Sequence, residues 1–353
     1  MNAKPEHLLH TLRSQGRFCG RSGSPMYDEL FELVAADVEA GGVFATILSG
    51  HEDDSGRHAV PLRLLGGLHR LVLDGRAPAL RRWYPSTGGS WDAHPAWPQI
   101  LADATDHADA LRAALDQPPQ TNEVGRSAAL IGGLLRVGRV FGYPIRLFEL
   151  GSSAGLNLRA DHYRYRHAGG RWGPIDSPVT IDDAWRGQLP PAGQLRIAER
   201  HGYDIAPIDV TDGEGETTVL SYVWPDQSAR LDRLRGAIAV ARNVPVQLVR
   251  QTAADAVAGL TLADGAMTVL WHSITWQYLS GEERAAIRRH VDALGAQADA
   301  RSPFAHLTLE PARSARHGAD SAIRFLVRAR SWPGGQLQIL GECHPHGPPV
   351  NWQ

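Results

Sequence analysis

The feature that most constrains the fold is an alternation of strand-like and helix-like segments that begins near residue 140. Short apolar runs between turn residues predict buried strands, and amphipathic segments predict helices. The predicted strands are Ile145–Leu150, Thr217–Val223, Val244–Val249, Met267–Trp271, Phe304–Leu309, Ile323–Ala329 and Leu337–Leu340. The predicted helices are Asp226–Ala241, Ala253–Leu260 and Gly281–Leu294. This order predicts an α/β fold with a mostly parallel sheet covered on both faces.

Two regions of the chain depart from this alternation. Only residues 330–336 separate the last two predicted strands, which is too short for a crossover helix and predicts an antiparallel hairpin at the carboxyl end of the sheet. Residues 1–124 show apolar residues at helical spacing, and we expect no strand before residue 140. We therefore predict an α-helical amino-terminal region over 1–124, acting as a lid and substrate-selecting region, and an α/β domain over 125–353.

Composition excludes several classes of function. The formal net charge of −2 lacks the basic excess of nucleic-acid-binding proteins. No segment has the apolar length of a membrane span, and the first residues lack the apolar run of a signal peptide. The cysteines, Cys19 and Cys343, do not form a disulfide framework, and no second ligand pair at zinc-like spacing accompanies Cys343. We expect a cytoplasmic protein with no nucleic-acid, membrane or metal partner.

A strand, a glycine turn and a helix follow one another from Ile145 to Ala160. Such a unit forms nucleotide sites because the helix start offers backbone N–H groups and glycine allows close approach of a ligand. We interpret it as a cofactor site formed by Glu149, Gly151, Ser152, Ser153, Gly155 and Asn157. A tight connection without a ligand is the alternative interpretation.

Residues 151–155 also match G-x-S-x-G, the nucleophile elbow of α/β-hydrolases. Ser153 would then be the nucleophile, with Asp204 or Asp255 and His306 or His344 completing the triad. Against this hypothesis, the domain begins at the motif strand, and Glu149 has no evident use in an elbow.

Three downstream segments carry further candidates. Asp204 lies in the run Gly202–Pro207, which resembles the second motif of class I methyltransferases, where an acceptor-only carboxylate at a strand end binds the ribose hydroxyls; a turn or capping role is an open alternative. Its distance from the glycines exceeds the usual spacing of about 20 residues, which predicts an insertion at about 163–191. The turn after Val249, which contains Thr252 and Ala253, resembles the adenine-contacting turn after the third strand of class I methyltransferases.

The segment after Met267 supplies candidates for the reaction itself. His272 and Tyr278 are the predicted catalytic residues, since histidine is a common general base. Aromatic faces attract cations, such as a sulfonium group or a positively charged substrate. We therefore expect Trp271 to contact the cofactor and Trp276 to contact the substrate. The alternative is that the aromatics belong to the core and His272 is a hydrogen-bonded buried histidine. The remaining substrate-binding candidates are Asn122, Glu123, Tyr222 and Trp224.

Six motifs resemble an uncharacterised, mainly actinobacterial family known only as a domain of unknown function. They are Trp83–Ser86, Thr121–Arg126, Glu149–Asn157, Tyr222–Gln227, Trp271–Tyr278 and His344–Gly347. More distantly, residues 125–353 resemble class I S-adenosylmethionine-dependent methyltransferases, whose acid-x-Gly-x-x-x-Gly motif matches Glu149, Gly151 and Gly155. The departures are Ser153 at the usual middle glycine, the long insertion, and the absence of an Asp/Asn-Pro-Pro-aromatic run. That absence speaks against amino-methylation of nucleobases or glutamine.

The resemblance implies a Rossmann-like sheet with S-adenosylmethionine as cofactor. It favours an S-adenosylmethionine-dependent transferase, first of all a methyltransferase, that acts on a small molecule. Non-methyl chemistry of the same cofactor (cyclisation or fragment transfer), a serine hydrolase built on Ser153 and a non-catalytic ligand-binding protein remain as alternatives.

Overall fold

A computed structural model describes residues 6–54, 58–313 and 323–353. The helices are α1 (Glu6–Arg21), α2 (Pro25–Glu39), α3 (Val43–Ile47), α4 (Val60–Leu73), α5 (Ala93–Asp106), α6 (Ala108–Leu115), α7 (Ser127–Phe141), α8 (Gly213–Ser221), α9 (Ser228–Ala241), α10 (Ala253–Ala258) and α11 (Gly281–Gln297). The strands are β1 (Ile145–Leu150), β2 (Arg164–His167), β3 (Gly170–Trp172), β4 (Thr180–Ile181), β5 (Trp185–Gly187), β6 (Ile197–Asp204), β7 (Gln247–Arg250), β8 (Met267–Ser273), β9 (Phe304–Arg313), β10 (Ile323–Trp332), β11 (Leu337–His344) and β12 (Gly347–Trp352).

The chain divides into two compact units. The first contains the described part of residues 1–121 together with Asp212–Asp232. The second contains Asn122–Thr211 and the described part of residues 233–353. None of the described helices is long and apolar enough to cross a membrane.

The first unit is helical and is built on an apolar core. The α2 helix begins where the Ser24 hydroxyl accepts a hydrogen bond from the amide of Tyr27, with Pro25 at the first helical position. The Asp226 carboxylate accepts from the Ser24 hydroxyl at 2.6 Å and from the Met26 amide at 3.1 Å. These bonds join α2 to the turn after α8.

One predicted strand, Thr217–Val223, is wrong, because this stretch lies mainly in α8. Asp212 caps the helix by accepting from the Gly215 amide at 2.5 Å. The hydroxyls of Thr217 and Thr218 donate to carbonyls four residues earlier, so both β-branched residues are satisfied in a helix. The content of β-branched and aromatic residues in this stretch therefore did not predict its secondary structure.

The second unit contains a nine-stranded sheet in the order β5-β12-β11-β10-β9-β8-β1-β6-β7. The central pairs β7–β6, β6–β1, β1–β8 and β8–β9 are parallel, and β9–β10, β10–β11 and β11–β12 are antiparallel. The structure therefore has the expected mixed α/β architecture, with an antiparallel hairpin after the parallel strands. The sequence analysis did not anticipate β12, whose Pro348 and Pro349 are unusual in a strand.

The connection from β1 to β6 differs from a simple crossover helix. Only a short 3-10 helix, Asn157–His162, follows the glycine turn, and the chain then forms the small sheet β3-β2-β4. The hydroxyls of Tyr163 and Tyr165 anchor this segment by donating to the carbonyls of Leu156 and Ala160 at 2.6 and 2.8 Å. The 3-10 helix is too short to supply a substantial dipole to a ligand.

The strand order reverses beside β1. From β1 the chain adds β6 and β7 on one side and then returns to add β8 and β9 on the other. A crevice forms outside the carboxyl ends of parallel strands where the order reverses, and ligands of α/β proteins bind there. The structure therefore directs attention to the loops after β1, β6, β7 and β8.

Candidate functional site

The loop after β1 is held in a tight conformation. Gly151, Ser153 and Gly155 have positive φ angles of 65°, 51° and 64°, and such a conformation is uncommon for serine. The Ser153 amide donates to Asp204 Oδ2 at 2.8 Å, and the other oxygen of Asp204 accepts from the Ala206 amide at 2.9 Å. Asp204 thus lies beside the loop and fixes its shape, and its predicted contact with a ribose stays a prediction.

The backbone amides of this loop already have acceptors within the protein. The amides of Gly151 and Ser152 donate to the Tyr203 carbonyl at 2.8 and 3.2 Å. The Gly155 amide donates to the Ser152 carbonyl at 2.7 Å, and the Leu156 amide donates to Asn122 Oδ1 at 2.9 Å. The loop therefore does not form the cradle of open N–H groups that a phosphate requires.

Glu149 is the most perturbed acidic group of the site. Its side chain is only 2% exposed, and burial raises its pKa to about 8, while the Trp271 indole, the Asn157 amide and Arg126 oppose part of this shift. One carboxyl oxygen, Oε2, is buried without a hydrogen-bond partner among the described residues. A buried oxygen of this kind is costly unless a ligand or water satisfies it.

Three further buried polar atoms near Glu149 lack a hydrogen-bond partner among the described residues: Ser152 Oγ, Asn157 Oδ1 and Trp271 Nε1. Glu149 pairs in register with Gly202 of β6 and with Trp271 of β8. A Cβ atom at Gly202 would lie 2.5 Å from Ser152 Oγ, so glycine leaves the space that the Ser152 side chain occupies. Glu149 Oε2 and Asn157 Oδ1 are the acceptors of this set, Trp271 Nε1 is a donor, and Ser152 Oγ can be either, so a ligand that donates hydrogen bonds fits the two carbonyl-type oxygens.

The Asn122–Arg126 segment adjoins the same loop. Asn157 Nδ2 donates to the Glu123 carbonyl at 3.4 Å, and Glu123 Oε1 accepts from the Gly125 amide at 3.0 Å. Arg126 donates to the carbonyls of Pro345 and Ser273 at 2.9 and 3.2 Å. Four of the six family-like motifs, which are far apart in sequence, therefore meet at the carboxyl edge of the sheet.

His272 lies in a buried chain of polar side chains. Its Nδ1 is 2.7 Å from Glu310 Oε1, and its Nε2 is 3.0 Å from His306 Nε2. Burial, aided by His272 and Arg330, lowers the pKa of His306 well below its usual range, so His306 is neutral. One of the two facing Nε2 atoms carries the hydrogen that joins the rings. Because the Glu310 carboxylate accepts, His272 Nδ1 carries the other hydrogen.

Glu310 is the residue that sequence reasoning missed. Its Oε1 also accepts from the amides of Thr275 and Trp276 at 3.0 and 3.2 Å. These bonds hold the loop after β8, where Ile274 has a φ of 52°, a strained value for a β-branched residue. The available sequence signal was an acidic residue at the end of an apolar strand, and its link to His272 requires the β8–β9 register.

The polar cluster around Glu149 and the polar cluster around His272 lie on opposite faces of the sheet. Glu149 pairs with Trp271, and Leu150 pairs with His272, so alternation along the strands separates Glu149 from His272. The Thr275 hydroxyl, which donates to the Leu150 carbonyl at 3.3 Å, links the two loops around the strand ends. Trp276 stacks on the His272 ring at 5.1 Å, and Tyr278 is 45% exposed.

Other predicted residues have more ordinary surroundings. Thr252 caps α10 through bonds with Asp255, and Ala253 packs in the apolar cluster under α10 and α11. The Gln251 amide donates to the Asp204 carbonyl, so this turn still borders the loop after β6. Tyr222 and Trp224 belong to the first unit, and Trp224 lies in its core.

The residues considered for a hydrolase triad make other contacts. Both Asp204 oxygens accept from backbone amides, Asp255 contacts Thr252, and His306 contacts His272. No group of three or more His, Cys, Asp or Glu side chains within residues 6–54, 58–313 and 323–353 is arranged to hold a metal ion.

Comparison with known proteins gives one match. The model of a family described as an uncharacterized protein conserved in bacteria (DUF2332) matches residues 9–352. No curated protein and no solved structure matches the chain.

Proposed function

The chain belongs to this family of uncharacterised bacterial proteins, whose description names no activity, and we propose from the site that it binds S-adenosylmethionine and transfers a group from it to a small molecule. The location supports the proposal. Glu149 and Trp271 are register partners on β1 and β8, the two strands that flank the reversal of strand order. Nucleotide ligands of doubly wound sheets bind at that position.

The buried, unpartnered oxygen of Glu149 carries the proposal. An ammonium group would supply both a hydrogen-bond donor and a positive charge to it, and S-adenosylmethionine has an ammonium group on its amino-acid end. Dinucleotide cofactors bind at the same position in other folds, but their pyrophosphates require open backbone amides. Here the amides of Gly151, Ser152, Ser153 and Gly155 donate to protein acceptors, which favours a cofactor without phosphate.

The remaining site residues have roles consistent with this ligand. Asn157 Oδ1 and Ser152 Oγ would assist Glu149 at the ammonium group. Each Asp204 oxygen accepts one bond from the backbone and keeps a further lone pair for a ribose hydroxyl. Thr252 and Ala253 follow at the edge where adenine would lie. When bound, the cofactor would supply a carbon activated by the adjacent sulfonium.

The chain's own contribution to a transfer reaction would be mainly positional. Burial around Glu149 excludes water, and the paired loops after β1 and β8 fix the geometry. Asn122, Glu123, Trp276 and Tyr278 border these loops and are the proposed substrate contacts. His272 would orient the loop rather than accept a proton directly, because both ring nitrogens contact protein side chains.

Isothermal titration calorimetry tests the proposal. S-adenosylmethionine and S-adenosylhomocysteine are titrated into the wild-type protein, into Glu149→Gln and into Glu282→Gln, an exposed control near the start of α11. We expect binding to wild type and control and a loss of at least about tenfold in Glu149→Gln, since a charge-assisted bond contributes about 1.5–3 kcal/mol. Binding of NAD⁺ alone, or equal affinity in all three proteins, would refute it.

One observation keeps a serine hydrolase as the second candidate function. Ser153 lies between two glycines with a φ of 51°, the kind of strained turn that a nucleophile elbow uses. A fluorophosphonate probe followed by mass spectrometry decides this case. An adduct on Ser153 would support the hydrolase, and silence in both assays would leave a non-catalytic binding protein.

A further inference from the structure

A second polar cluster, formed by His69, Tyr84, Ser86 and the Ser221 carbonyl, lies within the first unit. His69 is fully buried on α4, and Ser86 follows in a partly exposed 3-10 turn. Ser86 Oγ lies 2.8 Å from His69 Nε2, and His69 Nδ1 lies 3.1 Å from the Ser221 carbonyl oxygen. The Trp83–Ser86 motif, which the cofactor site does not use, therefore forms part of this cluster.

The contact with Ser221 determines which ring nitrogen carries the hydrogen. A backbone carbonyl can only accept, so His69 Nδ1 must donate. In the neutral ring Nε2 then has the lone pair, and the Ser86 hydroxyl donates to it. A hydroxyl that donates to a histidine, with that histidine oriented by a third group, is the arrangement that activates nucleophilic serines.

Two neighbours favour positive charge on the His69 ring, whereas its complete burial opposes it. Ser221 is the last residue of the nine-residue helix α8, so its carbonyl lies at the negative end of the helix dipole. A helix carboxyl terminus stabilises a histidine cation placed beside it. The Tyr84 ring stacks on His69 with centroids 5.6 Å apart, and an aromatic face also attracts a cation. The Ser221 carbonyl accepts at Nδ1, the place that a carboxylate has in a triad.

We propose that Ser86 and His69 are a nucleophile–base pair that hydrolyses uncharged carboxylic esters. The substrate class follows from the aromatic surroundings of the pair. Tyr84 stacks on the base, and Tyr222 lies against Gly66, one helical turn before His69, where a Cβ atom would be 3.0 Å from the Tyr222 ring. Aromatic walls suit an apolar acyl group better than a phosphate. The proposal does not depend on the cofactor site.

The reaction would proceed in two balanced halves. The Ser86 oxygen forms a bond to the acyl carbon, and its proton moves to His69 Nε2. The bond from the acyl carbon to the alcohol oxygen then breaks, and that oxygen leaves with the electron pair and takes the proton from Nε2. Water repeats the sequence on the acyl-serine, which releases the carboxylic acid and restores Ser86.

Labelling of the full-length chain with a fluorophosphonate probe, followed by peptide mapping, tests the pair. We expect an adduct on Ser86, no adduct at that position in Ser86→Ala, and wild-type labelling in Ser90→Ala, an exposed serine of the same turn. His69→Gln should slow the labelling of Ser86 by at least about 100-fold, since general-base assistance contributes about 10²–10⁴-fold. Hydrolysis of p-nitrophenyl butyrate should follow the same order.

Circular dichroism of each variant shows whether it is folded, so that a loss of labelling can be separated from a loss of structure. Ser86→Ala removes one hydroxyl from a partly exposed turn and should retain the helical spectrum, so it remains informative if His69→Gln does not fold. Absence of an adduct in folded wild-type protein would overturn the proposal. An adduct on Ser153 without one on Ser86, or an unchanged rate in folded His69→Gln, would overturn it equally.

Discussion

Replacement of Glu149 by glutamine gives the sharpest physical test of the site, because it can be measured without any ligand. Glutamine keeps the shape of the side chain and removes its titration. Burial raises the Glu149 pKa from an ordinary value of 4.5 to about 8. Between these values the folded protein binds more protons at this residue than the unfolded chain does, so rising pH destabilises the fold.

The expected magnitude follows from that interval. About 3.5 pH units at about 1.36 kcal/mol each set a limit near 5 kcal/mol for complete ionisation. Between pH 5 and pH 8 the wild type should therefore lose about 3–4 kcal/mol of unfolding free energy relative to Glu149→Gln. Above pH 8 the difference should level off, because Glu149 is then ionised in both states.

Urea unfolding followed by circular dichroism at pH 5, 6, 7 and 8 measures this difference. The histidines and other acids titrate in both proteins, so subtraction isolates Glu149. Glu282→Gln, which changes an exposed side chain, should follow the wild-type pH dependence. If wild type and Glu149→Gln gave parallel curves, Glu149 would not be held protonated by burial, and the argument for an unsatisfied cation site would fail.

Three further outcomes follow from the same contacts. The affinity for S-adenosylmethionine should increase about tenfold for each unit by which the pH is raised, up to pH 8, because Glu149 must ionise to pair with the ammonium group. An affinity that calorimetry finds independent of pH would contradict this. Gly202→Ala should destabilise the protein by about 1–3 kcal/mol in urea unfolding, since its Cβ would lie 2.5 Å from Ser152 Oγ, and unchanged stability would show that Ser152 moves freely. Glu310→Gln should cost about 2 kcal/mol and shift the ¹⁵N resonances of His272, and unchanged resonances would mean that Glu310 does not set its tautomer.

Local patterns in the sequence were sufficient to predict β1, β8 and the glycine turn. These strands are short apolar runs with turn residues at both ends, and the turn contains the glycines that its positive φ angles require. Asp204 was chosen from the sequence as a ribose ligand, and that role stays a prediction. Its bond to the Ser153 amide was not anticipated, because a carboxylate at a strand end serves a ribose or a backbone amide equally well.

Long-range contacts could not be predicted from the sequence. Glu310 reaches His272 across 38 residues through the β8–β9 pairing, and Ser86 reaches His69 across 17 residues between a turn and a helix. No regular spacing along the sequence links the two residues of either pair. The same holds for Gly125 and Gly347, whose backbones approach so closely that a Cβ at Gly347 would lie 2.2 Å from the Gly125 carbonyl oxygen. Those glycines have a packing reason that only the fold makes visible.

The distribution of satisfied and unsatisfied polar groups argues against a purely structural role for the carboxyl edge. The loop amides, Asp204 and Asn122 are matched within the chain, at normal distances. Four of the described buried polar atoms without a hydrogen-bond partner, on Glu149, Ser152, Asn157 and Trp271, cluster around one register position of β1, while others, such as Glu310 Oε2 and Thr268 Oγ1, lie elsewhere. A scaffold would be more stable with an apolar residue in place of Glu149, since burying its carboxylate costs several kcal/mol. That local cost is offset only when a cationic or donor-rich ligand binds, which is why we assign the edge to a ligand rather than to the core.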